Sequence, residues 1–551
     1  MFLKPVNRKF STDVLFKPEG LLFFTVAFTL AYFFLAHEGF YFNDDYGYAR
    51  MAGEVLHGNF QFQDLPSYHR LLIFVPTAFF YKLFGISIFT TTLWTLLCTL
   101  GCSFLIYFIF RKEDKQLTCW ALVLFGLQFH TLFLSTYLFP DNILMFFALA
   151  AAGTLYVARR EERNPVWYAA LFVLTNFAAL LCKETIVWYL PFYLLVAFSD
   201  FSRKKHSIFW SVSTGLGAAV LFLYLLTYKI HFGSFLYRFT MVENTNLVME
   251  NNFIKDANAS LLPRLTYAPV LFLMGAGFFL PLTFCFRFFR KNAFSEMQKL
   301  SGESFWLLLT LLVLLLFWFG STSMNYYNPI TLVPRMATPL FAPLAIAAAY
   351  QLHRYFQEPK GELWFIIPLM TAAVLLRSSL SVVYVVPALY FTFAWWRRKA
   401  GRSNNSAVAF LVLLLAALVL RPLHFILKPS VSGFFEQEKI VKNFLKTAPA
   451  NSILFTDGWF EKSAAYYFNF EPQQKVRVLN YEDFNGVNSS SEQPVFLLVN
   501  AKTITNPDWQ FNPPQPRFNL PEAAIYKRFP NRKLVTENGP VKLYQVFPTN
   551  R

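Results

Sequence analysis

The chain has 551 residues, of which 55% are hydrophobic, 19% aromatic and only 15% charged, and its mean hydropathy is +0.38. This composition leaves too little polar surface to cover a soluble globule, so the soluble classes of protein are excluded. The net charge of +17 comes from Lys and Arg in short connections between apolar runs, where basic residues set membrane orientation. The charge therefore predicts contact with membrane lipids and not with nucleic acid.

Apolar runs of about 15–23 residues, long enough to cross about 30 Å of hydrocarbon, recur through the chain as far as residue 427. The first run, Leu21 to Ala36, follows four basic residues and precedes no small-residue cleavage site, so it is expected to remain as an anchor. Six basic clusters are predicted to be cytoplasmic: Arg111-Lys112, Arg159-Arg160, Arg203-Lys204-Lys205, Arg287 to Lys291, His353-Arg354 and Arg397-Arg398-Lys399. Spans are predicted to start near Leu21, Ile88, Leu117, Ile143, Val166, Ile186, Ile208, Ala268, Phe305, Met336, Leu363, Leu380 and Ala407, which makes about 13 transmembrane helices.

The run Leu71 to Phe84 is too short to be counted as a span, and it contains Pro76 and Lys82. We interpret it as an interfacial helix on the outer face, within a first outer loop over residues 37–87. A second outer loop is predicted over residues 229–267. An odd number of spans then places the tail outside the membrane, so the predicted domains are a membrane domain (1–427) and an extracytoplasmic domain (428–551).

The tail changes composition sharply. Three short β-like runs, Ile453 to Phe455, Val495 to Val499 and Leu543 to Phe547, alternate with polar, Pro-rich and helix-like stretches, which predicts a small α/β domain. It has neither a Gly-rich phosphate loop nor zinc-ligand spacing, so no chemistry is assigned to it. All five cysteines lie in or beside predicted spans, so no disulfide framework is predicted.

Acidic residues recur at the outer ends of the predicted spans. Asp44 and Asp45 follow the first span at the start of an amphipathic helix, and Asp141 begins the fourth span after a proline. Both the pair Asp44-Asp45 and the single residue Asp141 could serve only as helix caps. The functional alternative is a general base or metal site, in which a carboxylate takes a proton from an acceptor hydroxyl. Lys183-Glu184 interrupts a long apolar stretch, and charges near membrane depth are candidates for function, although a neutralised turn would explain this pair too.

Several basic residues are predicted to lie outside, against the general charge bias. Cations near the outer face suit a lipid-borne phosphate, which Arg binds through two parallel hydrogen bonds. Alternatively, each of these side chains could extend to the lipid headgroups independently of the others. These residues are Arg50, His69-Arg70, Lys183, Arg238, Arg335, Arg377 and Arg421.

The order of these motifs resembles the GT-C glycosyltransferases, in the branch that contains protein O-mannosyltransferases and bacterial aminoarabinose transferases. The resemblance covers most of the membrane region and a segment of the tail. The motifs that carry it are Asp44 to Ala49, Gly58-Asn59-Phe60, Tyr68-His69-Arg70, Lys82 to Gly85, Phe139 to Asn142, Lys183-Glu184, Val333-Pro334-Arg335, Phe341 to Ala345 and Ser463 to Phe468.

The resemblance implies a hexosyl- or pentosyltransferase of the bacterial inner membrane, with its active site and C-terminal domain facing outside. A sugar on polyprenyl phosphate would be transferred, with inversion, to a lipid, glycan or protein acceptor. Asp44 or Asp45 would be the base, with Asp141 in support. Arg70, Lys183 and Arg335 would hold the departing phosphate. Tyr48, Arg50 and Glu184 are further substrate-binding candidates.

The resemblance leaves open whether the protein binds a divalent metal ion. The aminoarabinose transferases have Glu-Lys-Pro where this chain has His69-Arg70-Leu71, so the carboxylate that helps bind metal is missing. His69 could still ligate a metal ion. The sequence therefore keeps His69 as a candidate ligand.

Two other classes of protein fit the hydropathy pattern. A flippase or transporter for lipid-linked sugars would carry ionisable residues or broken helices near the midplane and repeated halves, whereas the acids here lie at outer ends and no repeat is visible. A polysaccharide polymerase or ligase shares the topology and donor type, but it would concentrate its extra polar mass in one large late loop rather than at the C-terminus. The glycosyltransferase interpretation is therefore preferred.

Overall fold

A computed structural model describes most of the chain. The described residues are 17–40, 43–161, 163–248, 261–289, 293–300, 302–401, 406–428, 432–471, 475–484, 493–505 and 520–547.

The first third of the chain folds into helices that begin at local start signals. Pro18 opens the first helix, where a missing N–H costs nothing, and Ser87 with Thr90 forms a capping box at the start of the fourth. The helices are α1 (Pro18–Leu35), α2 (Asn43–His57), α3 (Leu71–Phe84), α4 (Ile88–Phe110), α5 (Lys115–Gly126), α6 (Phe129–Ser135) and α7 (Pro140–Glu161).

The middle and late membrane regions are also helical. The middle helices are α8 (Pro165–Cys182), α9 (Leu190–Ser202), α10 (Ser207–Phe232), α11 (Tyr237–Val248), α12 (Leu261–Leu265), α13 (Ala268–Gly275) and α14 (Phe279–Cys285). The late helices are α15 (Ala293–Lys299), α16 (Gly302–Phe319), α17 (Thr338–Gln357), α18 (Leu363–Leu376), α19 (Val382–Lys399) and α20 (Ala407–Leu427). Short 3-10 turns at Pro66–His69, Glu184–Tyr189 and Pro334–Ala337 lead into α3, α9 and α17.

The polytopic helical fold is confirmed, but the count of about 13 spans is not. Within the described residues, nine helices are long and apolar enough to cross a membrane, and up to eleven if two bent pairs each form one span. The bent pairs are α5 with α6, at 58°, and α13 with residues 279–288, at 109°. Helices α17 and α18 begin near the other two predicted starts, and α18 has only 14 residues. The predicted interfacial run forms α3, with bounds identical to those expected.

The six basic clusters come together at one end of the helix bundle. Contacts link Arg160 to Glu113, Arg159 to Asp200, Arg203 to the Gln298 carbonyl, Arg287 to the Glu358 carbonyl, Arg354 to Glu303 and Arg398 to Glu362. This common end agrees with the shared sidedness that the charge pattern predicts.

The tail forms a mixed five-stranded sheet flanked by helices, which confirms the predicted α/β domain. Its elements are α21 (Phe434–Thr447), β1 (Ser452–Thr456), α22 (Gly458–Tyr467), β2 (Val476–Asn480), β3 (Val495–Asn500), α23 (Ala501–Thr505), α24 (Glu522–Arg528), β4 (Arg532–Asn538) and β5 (Val541–Val546). The strand order is β2-β1-β3-β5-β4, and β1 pairs in parallel with β2 and β3 while β5 is antiparallel to β3 and β4. The three predicted β-like runs lie on β1, β3 and β5.

The sheet domain packs directly on the first outer loop. The ring of Phe470 lies so close to Gly53 of α2 that a Cβ added there would be 2.5 Å from it, and the Asn469 carbonyl oxygen lies 3.0 Å from His57 Nε2. Near the end of α1, Glu38 accepts hydrogen bonds from Ser432. The sheet domain therefore packs against α2, the helix that carries the acidic pair Asp44 and Asp45. The domain boundaries at residues 427 and 428 stay a prediction.

Candidate active site

Helix α2 turns Asp44 of the first acidic motif toward the turn Pro334–Ala337, which precedes α17. Asp44 and Tyr48 are four residues apart and so lie on the same side of the helix. Arg335, in the turn Pro334–Ala337, donates a hydrogen bond from Nη1 to Asp44 Oδ2 at 2.7 Å. The guanidinium of Arg335 also lies over the ring of Phe139, 5.2 Å from its centroid. Asp44 remains about half exposed, with 55% of its side chain accessible, so its carboxylate is paired and yet reachable.

The second acid forms a buried ion pair at the start of α7. Lys183 Nζ donates to Asp141 Oδ1 at 2.8 Å, and Thr338 approaches the same oxygen at 3.5 Å. Asp141 Oδ2 is buried and has no hydrogen-bond partner among the described residues. Burial lowers the pKa of Lys183, and the attraction of Asp141 opposes that shift only in part. The pair therefore offers one unfilled carboxylate oxygen.

Glu184 bridges two arginines beside this pair. Arg70 donates from Nη2 to Glu184 at 3.0 Å and from Nη1 to the hydroxyl of Tyr48 at 3.0 Å. Arg238 donates to the other carboxylate oxygen of Glu184 at 2.8 Å. Burial alone would lower the pKa of Arg70, but Glu184 and Tyr48 outweigh it and raise the pKa. Arg70 Nε is buried and finds no partner in the described parts of the chain, so it is a free donor.

These contacts form one continuous cluster, because neighbouring residues in the chain join the pairs. Arg335 precedes Met336, whose sulfur lies 3.4 Å from Lys183 Nζ, and Lys183 precedes Glu184. The charge cluster, as we name it below, consists of Asp44, Tyr48, Arg70, Asp141, Lys183, Glu184, Arg238 and Arg335. Four cations face three carboxylates, an excess of one positive charge (4 − 3). Such an excess favours an anionic ligand.

Three predicted site residues lie apart from this cluster. Asp45 is buried, one residue further round the helix than Asp44, and its Oδ1 accepts from the backbone N–H of Tyr46 at 2.9 Å. Arg50 donates to the hydroxyl of Tyr68 at 2.7 Å and pairs with Glu54 at 3.4 Å. No described contact joins Arg50 to the charge cluster, so its role in substrate binding stays a prediction without geometric support.

His69 is the third of these residues, and its surroundings do not fit a metal ligand. Its Nδ1 lies 3.1 Å from the hydroxyl of Tyr228 and its Nε2 lies 3.2 Å from the carbonyl oxygen of Gln63. Across the described ranges, no group of three His, Cys, Asp or Glu side chains could hold a metal ion. The metal stays a prediction, and no step below depends on one.

Arg238 is the member of the charge cluster that the sequence did not assign. The sequence marked it as one of several outer cations and placed it in the predicted loop 229–267, which resembles a variable loop of the family, but gave it no role. It is almost fully buried, at 1% exposure, and it also donates to the Leu180 carbonyl at 2.9 Å and to the hydroxyl of Tyr224. The available signal was an arginine in the predicted loop 229–267.

Comparison with solved structures identifies the fold. The structure of ArnT from Cupriavidus metallidurans bound to undecaprenyl phosphate matches with a TM-score of 0.55 at 13% sequence identity, over 96% of this chain and 99% of that chain. The same protein in the apo state matches with a TM-score of 0.52 at 14% identity, again over 96% and 99%. No family model matches the chain, and no curated protein matches it by sequence. The chain has the GT-C fold.

Proposed function

We propose that this chain is a membrane glycosyltransferase that moves a sugar from a polyprenyl-phosphate donor to an acceptor hydroxyl. The observation that carries the proposal is the charge cluster itself, in which two carboxylate–cation pairs and a bridged pair of arginines meet at one end of the bundle. A net positive charge, a free buried donor on Arg70 and a reachable carboxylate on Asp44 suit a phosphate beside a general base. The shared fold with a protein that binds undecaprenyl phosphate adds support.

In the proposed reaction, Asp44 takes the proton from the acceptor hydroxyl. The acceptor oxygen attacks the anomeric carbon from the side opposite the phosphate, and the bond from that carbon to the phosphate oxygen breaks. The electron pair leaves with the phosphate, and Arg70, Lys183 and Arg335 stabilise the charge that develops there. Attack from the opposite side inverts the anomeric centre. Asp141 holds the ammonium of Lys183 in place.

Tyr48 and Glu184 act through Arg70 in this scheme. Tyr48 accepts from one Nη of Arg70 and Glu184 from the other. One N–H on each Nη of Arg70 is thereby engaged, which fixes the plane of the guanidinium, and the Nε–H has no partner among the described residues. These two residues are therefore positioning residues in the proposal, whereas Arg70 itself would contact the phosphate.

The test uses purified protein with labelled polyprenyl-phosphate sugar and a cell-envelope fraction. Transfer of label to the envelope and release of polyprenyl phosphate are measured together, beside donor binding. The parent protein is expected to transfer, and the Asp44→Asn, Asp45→Asn double variant is expected to bind donor without transferring. Normal transfer by the double variant would return both residues to helix capping, since Asn caps about as well as Asp.

We also propose that the charge cluster and the sheet domain face the outside of a bacterial inner membrane. Reporter fusions after Lys115, Arg163 and Lys205 are expected to be cytoplasmic. Fusions after Asp64 and Lys439 are expected to be external. A cytoplasmic reporter after Lys439 would overturn this orientation.

A further inference from the structure

Helix α11 is tied to three outer loops by one side chain each. The ties, in chain order, are Tyr237 to Asp64 of the first outer loop, Arg238 to Glu184 of the turn after α8, and Glu243 to Ser323 of the loop after α16. Glu243 also accepts from the backbone N–H of Met324 at 3.1 Å. The helix is therefore held in a defined place across the outer side of the protein.

One face of α11 lines an open cleft of about 390 Å³. The residues of this face recur at the spacing of an α-helix surface, i, i+3, i+4, i+7 and i+8, and Asp64 with Leu65 forms the opposite wall. The face consists of Tyr237, Thr240, Met241, Asn244 and Thr245. The volume is within the range of about 300–1,000 Å³ that is typical of ligand sites.

The chemistry of the cleft differs from that of the charge cluster. Among the described residues that line it, the one charged side chain is Asp64, a carboxylate, and the other polar groups are hydroxyls and the exposed amide of Asn244. An anionic ligand such as a phosphate would be repelled here. Hydroxyl, amide and carboxylate groups beside the apolar surfaces of Leu65 and Met241 suit a neutral molecule with many hydroxyls and apolar ring faces.

We propose that this cleft binds the saccharide part of the acceptor, so that the acceptor of the transferred sugar is a glycan. The inference rests on the proposed function. Its geometric basis is that Tyr237 and Arg238 are neighbours on α11, about 100° apart around the helix. Tyr237 belongs to the cleft while Arg238 reaches Glu184 in the charge cluster. The cleft is therefore joined through Arg238 to Glu184, the carboxylate that also pairs with Arg70 of the proposed phosphate site.

Two variants test the cleft without weakening its supports. Asn244→Ala removes the amide but raises the helix propensity of α11, so any loss cannot come from unfolding of that helix. Asp64→Asn removes the charge but keeps an oxygen for Tyr237. The matched control is Phe239→Ala, because Phe239 points away from the cleft on the opposite side of α11 and is exposed.

The experiment measures initial rates of transfer from labelled polyprenyl-phosphate sugar to the envelope fraction. The labelled product is then digested with protease and extracted with organic solvent to find which part carries the label. We expect the label on saccharide. We also expect Asn244→Ala to raise the KM for the acceptor by about 3- to 10-fold, the loss of one or two hydrogen bonds, with an unchanged KM for the donor.

The outcomes separate this inference from the function on which it rests. If the parent transfers label but the label is found on peptide or on lipid without saccharide, the glycan assignment is wrong and the transferase proposal survives. An acceptor KM in Asn244→Ala equal to that of Phe239→Ala would also refute the cleft. Absence of any transfer by the parent would instead refute the proposed function, and the inference with it.

Discussion

The charge cluster and the ion pair Arg159–Asp200, which lies at the opposite end of the bundle, use the same kinds of side chain in different ways. Both oxygens of Asp200 are filled, by Arg159 at 2.9–3.2 Å and by the indole N–H of Trp210 at 3.0 Å. Arg159 also donates to the carbonyl of Leu300. In the outer cluster, by contrast, Arg70 Nε and Asp141 Oδ2 have no partner among the residues that the structure describes.

This difference separates a structural ion pair from a candidate binding site. A buried charge normally has all its hydrogen-bonding positions filled, because each unfilled position costs about 1–3 kcal/mol. The inner pair obeys that rule and is explained by stability alone. The charge cluster leaves two positions unfilled among the described residues, and these are positions that the proposed ligand could fill. The predictions below test whether that contrast is functional.

The largest expected effect is on transfer by Asp44→Asn. The amide keeps the shape of the carboxylate and one acceptor oxygen for Arg335, but it cannot take the proton of the acceptor hydroxyl. Transfer should therefore fall by about 10²- to 10⁴-fold, measured with labelled donor at saturating acceptor. Donor binding should barely change.

The matched controls for Asp44→Asn are two other outer carboxylates. Asp45→Asn is expected to have an intermediate effect, since Asp45 is buried away from Arg335. Glu471→Gln, at an exposed position of the sheet domain, is expected to behave like the parent. Equal transfer rates for Asp44→Asn and Glu471→Gln would show that Asp44 has no catalytic role.

The next largest effect is expected for the ion pair Arg159–Asp200, where a substitution should lower the stability of the protein and leave its activity unchanged. Asp200→Asn leaves the charge of Arg159 buried without a counter-ion, which typically costs about 3–5 kcal/mol when one partner of a buried pair is lost. The thermal unfolding temperature of the purified protein should fall. The transfer rate per folded molecule should stay at the parent value. A loss of transfer without a loss of stability would show that this pair is not merely structural.

A smaller effect is expected for donor binding by the outer arginines. Arg70→Ala and Arg335→Ala each remove a charge-assisted hydrogen bond to phosphate, worth about 1.5–3 kcal/mol, or roughly 10- to 150-fold in Kd. Arg→Lys at either position should restore binding only in part, because Lys cannot form two parallel hydrogen bonds. Binding of undecaprenyl phosphate is the measurement, and Lys82→Ala, an exposed cation of the same outer loop, is the control. Unchanged affinity in both Ala variants would refute the phosphate site.

The sequence predicted the fold well wherever apolar patterning decides the structure. The bounds of α3 agree because Gly85 can adopt the positive φ of 76° that ends the helix. Strands β1 and β3 were predicted because their residues are mainly apolar and buried, and β5 because it contains the apolar residues Leu543, Tyr544 and Val546. Strand β4 was missed because it is exposed along most of its length and carries charged residues, so it shows no alternation of apolar and polar side chains.

The charge cluster was predictable only in part. Common sidedness and family resemblance indicated Asp44, Lys183 and Arg335 as neighbours, since both depend on the order of motifs along the chain. The contact of Arg238 with Glu184 joins residues 54 positions apart, and it depends on the rotation of α11, which local sequence does not encode. Arg50 lies two positions after Tyr48, which turns its side chain by about 200° around the helix, and its described contacts are with Tyr68 and Glu54; its role in substrate binding stays a prediction.

The smallest expected effect is a pH dependence that only the outer cluster should show. Lys183 must be protonated to attract phosphate, and burial lowers its pKa below the usual 10.5. Donor affinity should therefore fall as the pH rises through this lowered pKa, at a pH where an exposed lysine would still be charged. The phosphate itself contributes little, because its second pKa is about 6 and its charge is constant above about pH 8.

Lys183→Arg provides the comparison, because a guanidinium stays protonated across the whole range. Its affinity for undecaprenyl phosphate should be lower than that of the parent near neutral pH, since the side chain no longer fits against Asp141 in the same geometry. Above neutrality its affinity should stay flat while that of the parent declines, so the two curves should converge. Equilibrium binding measured in steps from about pH 7.5 to pH 10 would decide this. Parallel curves would mean that the ammonium of Lys183 does not contact the phosphate, and the outer pair Lys183–Asp141 would then be as purely structural as Arg159–Asp200.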